Sequence, residues 1–353
     1  MEPTESAMAA IETRRDDGSI PLDALRRFLD ERGIGTGPLS VERIGEGHSN
    51  LTYKVRRADR SVVLRRPPPP PFIPGTHDVL REFRILSRLQ GVPTPKVLAH
   101  SADPAVIGAP FYVMEHIEGR VLTDDLPAVF APERERRRIG EEVVDALVAL
   151  HAVDVNAVGL GNFGRPKGFL ERLLARGVRM WETVRTRDLP AFDAVERWLQ
   201  ANLPESAPAG IVHGDYRLGN VMFAPDAPAC LIAILDWEMA TLGDPLADVG
   251  WLAAFWVQPD DPPLKMFELA DVLRLGGFGT RADLVGRYAD ASGRSTAHVR
   301  FYEVLALWRL AAMMEGNYRR AVSGSIDNSY LRGFGTGVVE LTERAAQLAG
   351  VRA

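Results

Sequence analysis

The spacing of apolar positions changes character along the chain. In "PLDALRRFLDERG", Leu22, Leu25, Phe28 and Leu29 recur at helical intervals, with Pro21 suited to a first turn and Gly33 to a stop. The segments "LSVERIGEG", "LTYKVRRAD" and "SVVLRRP" are short, rich in β-branched residues and separated by turn formers, which predicts three strands of an antiparallel meander. The proline run Pro67–Pro71 fits only an extended connector. A helix is predicted in "HDVLREFRILSRLQG", with Val79, Leu80, Phe83, Leu86 and Leu89 on one face and Gly91 as its end. Two further strands follow in "KVLAHSAD" and "APFYVMEHIEG".

From about residue 120 the period is helical. The clearest helices are "ERERRRIGEEVVDALVALHAV", "GFLERLLARGVRMWETV" and "AFDAVERWLQANL", and the stretch from Leu246 to Ala353 is also mostly helical. Strand–loop elements interrupt them at "GIVHGDYRLGNVMF" and "CLIAILDWEMATLGDP". The division predicted is 1–38 as an N-terminal extension with one helix, 39–117 as a β-rich lobe and 118–353 as a larger helical lobe. Residues 1–19 are small, polar and charged and read as disordered. The polar loops lie in the second lobe, where they are expected to face the first across a cleft.

Composition narrows the function classes. A chain of 353 residues with 46% hydrophobic and 25% charged residues is an ordinary globular one, and a net charge of −5 favours neither nucleic acid nor an anionic membrane. The single cysteine, Cys230, excludes an internal disulfide and a cysteine-rich zinc site; set in "PACLIAILDW", it reads as a buried, inert thiol. The acidic N-terminal stretch is neither a signal nor a transit peptide, and "PLADVGWLAAFWV" is too short to span a bilayer, so a cytoplasmic protein is expected. Oligomeric state leaves no mark in the sequence.

The densest chemistry is "HGDYRLGN", which sets His213, Asp215, Arg217 and Asn220 in a glycine-bearing loop directly after the apolar pair Ile211 and Val212. Downstream, an apolar strand delivers Asp236 in "ILDWE". An Asn and an Asp offering hard oxygens, with a second Asp nearby, match the needs of Mg²⁺ and a phosphate-bearing substrate, because Mg²⁺ takes oxygen ligands and keeps several waters. The remaining Asp is then available to accept a hydroxyl proton. His213 reads as a buried support of the loop, Arg217 equally as a phosphate contact or a loop salt bridge, Asp244 and Asp248 as helix-capping and loop-bracing groups, and His151 as a core or helix-end histidine. Trp251, Phe255, Trp256, Tyr302, Trp308, Met313, Met314 and Tyr318 suggest an aromatic pocket, but their helical spacing favours core.

The stations "IGEGHSNLTYKV", "VVLRRP", "REFRIL", "HGDYRLGN" and "ILDWE" occur in the order of the kinase template. On these motifs, and on "FYVMEHIEGR", "LDWEMATLGDPLADVG", "LRRPP" and "LWRLAAMMEGNYRR", the chain from about Leu39 onward resembles the aminoglycoside phosphotransferase and choline kinase superfamily. Within it, the likeness is to a bacterial subgroup similar to the kinase-like domain fused to some acyl-CoA dehydrogenases. The resemblance implies an α+β, bilobal, protein-kinase-like fold with a small antiparallel sheet lobe and a larger, mainly helical lobe. It implies an ATP- and Mg²⁺-dependent small-molecule kinase, with Asp215 as catalytic base and Asn220 and Asp236 as the Mg²⁺ ligands and members of the catalytic set. The Glu115 carbonyl and Ile117 N–H would meet adenine, and Gly45, Gly47, Ser49 and Asn50 would lie over the phosphates. Arg65 stands where a lysine is usual, with Glu82 as its partner, and the glycine loop lacks a full G-x-G-x-x-G.

The acceptor implied is the hydroxyl of a small molecule. Past Gly243, acids and bases are nearly balanced, which disfavours a polycation and, with the subgroup likeness, suggests a hydroxyacyl-CoA or similar hydroxy metabolite. The rivals are an aminoglycoside antibiotic phosphotransferase, a protein kinase (opposed by "DWE" in place of "DFG" and by the absence of "APE") and a catalytically inactive nucleotide-binding module.

Overall fold

The structure is a computed structural model that describes residues 14–15, 20–44, 50–69, 77–324 and 329–352. Gly45, Gly47 and Ser49 lie outside the described residues, as does most of the N-terminal stretch read as disordered. Arg14–Arg15 is the exception within that stretch: it forms strand β1 against β2. The chain divides into two compact units, Met1–Leu89 with Thr94–Glu118, and Gln90–Pro93 with Gly119–Ala353.

The first unit is built on a six-stranded antiparallel sheet in the order β1-β2-β3-β4-β6-β5. The predicted meander is β2 (Ser40–Ile44), β3 (Leu51–Arg56) and β4 (Ser61–Arg66), and the two later strands are β5 (Val97–Ser101) and β6 (Phe111–Glu115). Side-chain alternation sends Leu51, Tyr53, Val55, Val62, Leu64, Phe111 and Val113 to one face. Helix α1 (Leu22–Asp30) closes that face with Leu25, Phe28 and Leu29, and the Phe28 and Phe111 rings meet edge-on at 4.8 Å.

The opposite face carries Arg65 and Tyr112 toward helix α2 (Val79–Leu86), whose N-cap Asp78 accepts the Arg81 N–H. This helix departs from its predicted form in two ways. It stops at Leu86, because the Ser87 and Arg88 N–H groups close back on Phe83 and Ile85, so Gly91 falls in the loop beyond. Its buried residues are Val79, Glu82, Ile85 and Leu86, which places a carboxylate in the middle of the buried face.

The second unit is mainly helical. Its helices are α3 (Glu133–His151), α4 (Phe169–Val184), α5 (Pro190–Ala201), α6 (Leu246–Phe255), α7 (Arg281–Ser292), α8 (Val299–Val322), α9 (Ser329–Arg332) and α10 (Phe334–Ala349). Helix α8 packs against α4, α5, α6, α9 and α10, and so it is apolar around much of its circumference. Two small antiparallel ribbons carry the polar loops: β7 (Gly210–Val212) with β10 (Thr241–Gly243), and β8 (Val221–Phe223) with β9 (Leu231–Ile234).

Cys230 is exposed, against expectation. It stands just before β9, where alternation turns Ala229 and Leu231 inward and the residue between them outward. Among the described residues, no helix is long and apolar enough to cross a membrane.

Candidate active site

Strand β7 ends at Val212, and the loop that follows is fastened by a buried carboxylate. Asp248, in the first turn of α6, is fully buried and accepts the His213 N–H at 2.6 Å, the Gly214 N–H at 2.8 Å and His151 Nε2–H at 3.2 Å. A carboxylate without such partners would cost several kcal/mol to bury, so these donors hold it in place as much as it holds them. The Tyr288 hydroxyl donates to His151 Nδ1 at 2.8 Å, and burial pushes that phenol up, which keeps it a donor. His213 donates from Nε2 to the Leu235 carbonyl at 2.9 Å and accepts the Asp215 N–H on Nδ1 at 3.3 Å. Both partners are single-purpose, which fixes the tautomer. Gly214 bends the chain at φ +91°, and a Cβ there would stand 2.9 Å from the Met239 carbonyl.

This bracing presents Asp215, half-buried, at the head of the loop. Its Oδ1 accepts the indole N–H of Trp251 at 2.8 Å, and its Oδ2 accepts Asn220 Nδ2–H at 2.6 Å. Asn220 Nδ2 also donates to the Asp215 carbonyl at 2.8 Å. Since both acceptors are oxygens, the carboxamide orientation follows, and Oδ1 is its remaining ligand atom. Arg217 Nε lies 3.5 Å from Asp215 Oδ1, and its guanidinium carbon lies 5.7 Å from the centre of the Phe255 ring.

Asp236 reaches the same neighbourhood through the second ribbon. β8 and β9 pair Val221 with Ile234, and the Leu235 N–H bonds the Asn220 carbonyl at 2.8 Å. Asp236 is therefore one residue beyond the partner of Asn220. It holds φ +60°, a left-handed conformation that aspartate tolerates better than most residues and that turns the chain immediately after the strand. Asn220 Oδ1 and the Asp236 carboxylate are hard oxygens of the kind that could hold Mg²⁺. Among the described residues, no three His, Cys, Asp or Glu side chains form a metal cluster of their own.

In the sheet unit, Arg65 Nε meets Glu82 Oε2 at 3.1 Å, and the Tyr112 hydroxyl donates to the same oxygen at 2.9 Å. Asn50 also donates its side-chain N–H to Glu82, a use that sequence reasoning did not foresee. Glu82 thus orients the arginine from a nearly buried position. Glu115 ends β6, its N–H on the Lys96 carbonyl and its carboxylate on the Lys96 N–H, both at 2.9 Å. Ile117 follows the strand, half-buried, and among the described residues its N–H has no hydrogen-bond partner.

The bracing roles read for His213, Asp244 and Asp248 match these contacts, and Asp244 also accepts the Tyr302 hydroxyl at 2.7 Å. Trp256, Tyr302 and Trp308 are core. Trp251 is buried as well, but its indole N–H holds Asp215, and the only sequence signal for that was its place three residues after Asp248 on one helix.

Comparison with known proteins identifies the family and the fold. Residues 40–302 match the phosphotransferase enzyme family. Acyl-CoA dehydrogenase family member 10 of Mus musculus is 34% identical over 339 residues, covering 94% of this chain but 31% of that protein, so the chain spans about a third of that relative's length. A solved structure from Ralstonia eutropha JMP134, described as a candidate aminoglycoside phosphotransferase, superposes with a TM-score of 0.81 at 32% identity, covering 94% of this chain and 98% of that one. The aminoglycoside phosphotransferase APH(4)-Ia, in a ternary complex with AMP-PNP and hygromycin B, shares the fold with a TM-score of 0.60 at 18% identity, covering 94% and 100%. A small antiparallel-sheet unit, a larger helical unit and a family match over most of the chain lead to one conclusion: this α+β protein has a kinase-like fold and belongs to the phosphotransferase enzyme family.

Proposed function

We propose that this protein transfers the γ-phosphoryl group of ATP to the hydroxyl of a small molecule. The observation that carries the reading is the held carboxylate of Asp215, bonded by Trp251 on one oxygen and Asn220 on the other, with Asp236 one residue past Asn220's strand partner. Each Asp215 oxygen keeps a second lone pair, so one can take the acceptor's hydroxyl proton as the hydroxyl oxygen bonds to the γ-phosphorus and the bond from that phosphorus to the ADP oxygen breaks. Two hydrogen bonds fix the carboxylate before substrate arrives, which lowers the entropic part of the barrier. Asn220 Oδ1 and Asp236 would hold Mg²⁺, whose role is to neutralise phosphate charge. In the sheet unit, Arg65, oriented by Glu82, supplies a fixed cation for the triphosphate, and the Ile117 N–H offers a donor to the adenine edge. Gly45, Gly47 and Ser49 remain part of the proposal as phosphate-covering residues, with Asn50 beside them.

For the acceptor, the reading is a hydroxyacyl-CoA or related hydroxy metabolite. It is supported by the near balance of charge past Gly243 and by the acyl-CoA dehydrogenase family relative. An antibiotic acceptor is the reading it displaces.

The test is Asp215→Asn. The variant should lose turnover by three orders of magnitude or so while ATP affinity, measured by calorimetry with Mg²⁺ present, stays within about threefold. Mass spectrometry of a metabolite extract treated with wild-type protein and ATP would identify the phosphorylated compound. Unchanged turnover in Asp215→Asn would end the proposed mechanism.

A further inference from the structure

The helical unit holds one arginine that its neighbours do not explain. Arg309, on α8, is half-buried, and its guanidinium carbon lies 5.4 Å from the centre of the Trp251 ring. Trp251 in turn holds Asp215 through its N–H and stacks on Phe255 at 5.3 Å. Other partly buried arginines of this unit have partners: Arg187 pairs with Glu315 at 3.0 Å and Arg281 with Asp261, while Arg136 and Arg294 donate to the backbone carbonyls of Ala131 and Pro208. Among the described residues, Arg309 has no carboxylate within ion-pair distance and no hydrogen-bond partner.

The groups that face it from the packed elements are Trp251 and Asp248 on α6, Arg176 on α4 and Asp215 on the loop. Desolvation first, and Arg176 second, push the Arg309 guanidinium down to about 10, against the pull of Asp248 and Asp215, so it is still cationic at neutral pH. A second cation, Arg217, lies by the other ring of the same aromatic pair, with its guanidinium carbon 5.7 Å from the centre of Phe255 and its Nε 3.5 Å from Asp215 Oδ1. Arg309 thus holds a positive charge partly out of water with no carboxylate at ion-pair distance, which is unfavourable unless a ligand brings one closer.

Resting on the kinase reading above, we propose that Arg309 and Arg217 form the anion-receiving part of the acceptor site. The acceptor is then a hydroxy compound that also carries a carboxylate or phosphate, with its linking chain against Trp251 and Phe255. A guanidinium suits either anion, since its planar fork gives two parallel charge-assisted bonds. The same charges oppose a polycationic aminoglycoside.

The experiment uses hydroxyalkanoates with the hydroxyl at successive positions, each as the free acid, the neutral methyl ester and the CoA thioester, beside a kanamycin-type drug. Steady-state phosphorylation with ATP is measured for wild type, Arg309→Met and Arg309→Lys, and calorimetry without ATP measures acceptor binding directly. The expected result is that anionic forms outcompete the ester. In Arg309→Met their KM should rise about tenfold to a hundredfold, the loss of one charge-assisted bond, with kcat and the KM for ATP nearly unchanged; Arg309→Lys should recover part of it. Preference for the free acid identifies a carboxylate as the anion, and preference for the thioester identifies the CoA phosphates. If acids and esters behave alike and Arg309→Met leaves acceptor KM unchanged, the anion site is wrong while the kinase stands. A loss of kcat shared equally by all acceptors would reduce Arg309 to a support for Trp251. If nothing is phosphorylated yet anionic compounds bind in an Arg309-dependent way, the anion site stands and the kinase reading fails.

Discussion

Asp215 is defined by what holds it. Its two oxygens are bonded from different elements: Trp251 comes from α6, and Asn220 from a 3-10 turn of its own loop. Replacing Trp251 with Phe keeps a smaller aromatic face for Phe255 and Arg309 and removes the N–H. One hydrogen bond to a charged group is worth about 1.5–3 kcal/mol, so Trp251→Phe should lower kcat about tenfold to a hundredfold with the KM for ATP unchanged. Steady-state kinetics with saturating ATP is the check; an undiminished kcat would show that Asn220 alone orients the carboxylate. At this scale sequence reading had uneven reach. Asp215, Asn220 and Asp236 were legible because their residue types and spacing fall in one short loop and one strand end. Trp251 was not, because helical spacing tells which side of a helix is buried and says nothing of what an indole N–H will meet 36 residues away.

At the scale of elements, α6 decides the site. Asp248 and Trp251 are three residues apart on it, so they share a face: one bonds the backbone at His213 and Gly214, the other the carboxylate at Asp215. The depth of α6 is set by Gly250, where an added Cβ would overlap backbone atoms of Tyr302 on α8. No side-chain rotation relieves a clash with backbone. Gly250→Ala should therefore push α6 off α8, at a cost of about 1–3 kcal/mol. Calorimetry should show Tm lowered by several degrees, and kinetics a kcat below wild type even at temperatures where the variant is folded. A variant with wild-type Tm and kcat would contradict this view of the helix pair. The elements themselves were largely readable. The meander β2–β4 and the helices α1, α3 and α4 lie within their predicted segments, and α5 starts one residue earlier, at Pro190, since periodicity and turn chemistry act between near neighbours. Helix α2 ended early because its last turn closes on its own carbonyls, a choice that Gly91 did not govern.

Stability belongs to the whole molecule, and one carboxyl should make it depend on pH. Burial raises the Glu303 pKa above the usual carboxylate range, against the opposing pull of Arg281, Arg344 and Arg300. The folded state then holds this proton more tightly than the unfolded chain. The contribution is complete below the unfolded pKa and is lost as pH rises through the folded one. Glu303→Gln, which cannot ionise, should match wild type near pH 4 and exceed it in Tm at neutral and higher pH. Thermal melts across that range test the sign, and a Tm gap that shrinks as pH rises would refute it.

By itself the sequence determined the order of strands and helices, the loops that carry polar chemistry and the α+β class, because each rests on contacts between residues close along the chain. Tertiary structure alone decided that Asp248 gathers His151, His213 and Gly214, that Asp236 takes a left-handed turn, that Cys230 faces outward and that Arg309 lies beside Trp251 with no carboxylate at ion-pair distance among the described residues. The partner of a buried charge is set by packing between elements far apart in sequence, and no local pattern records which of them will meet.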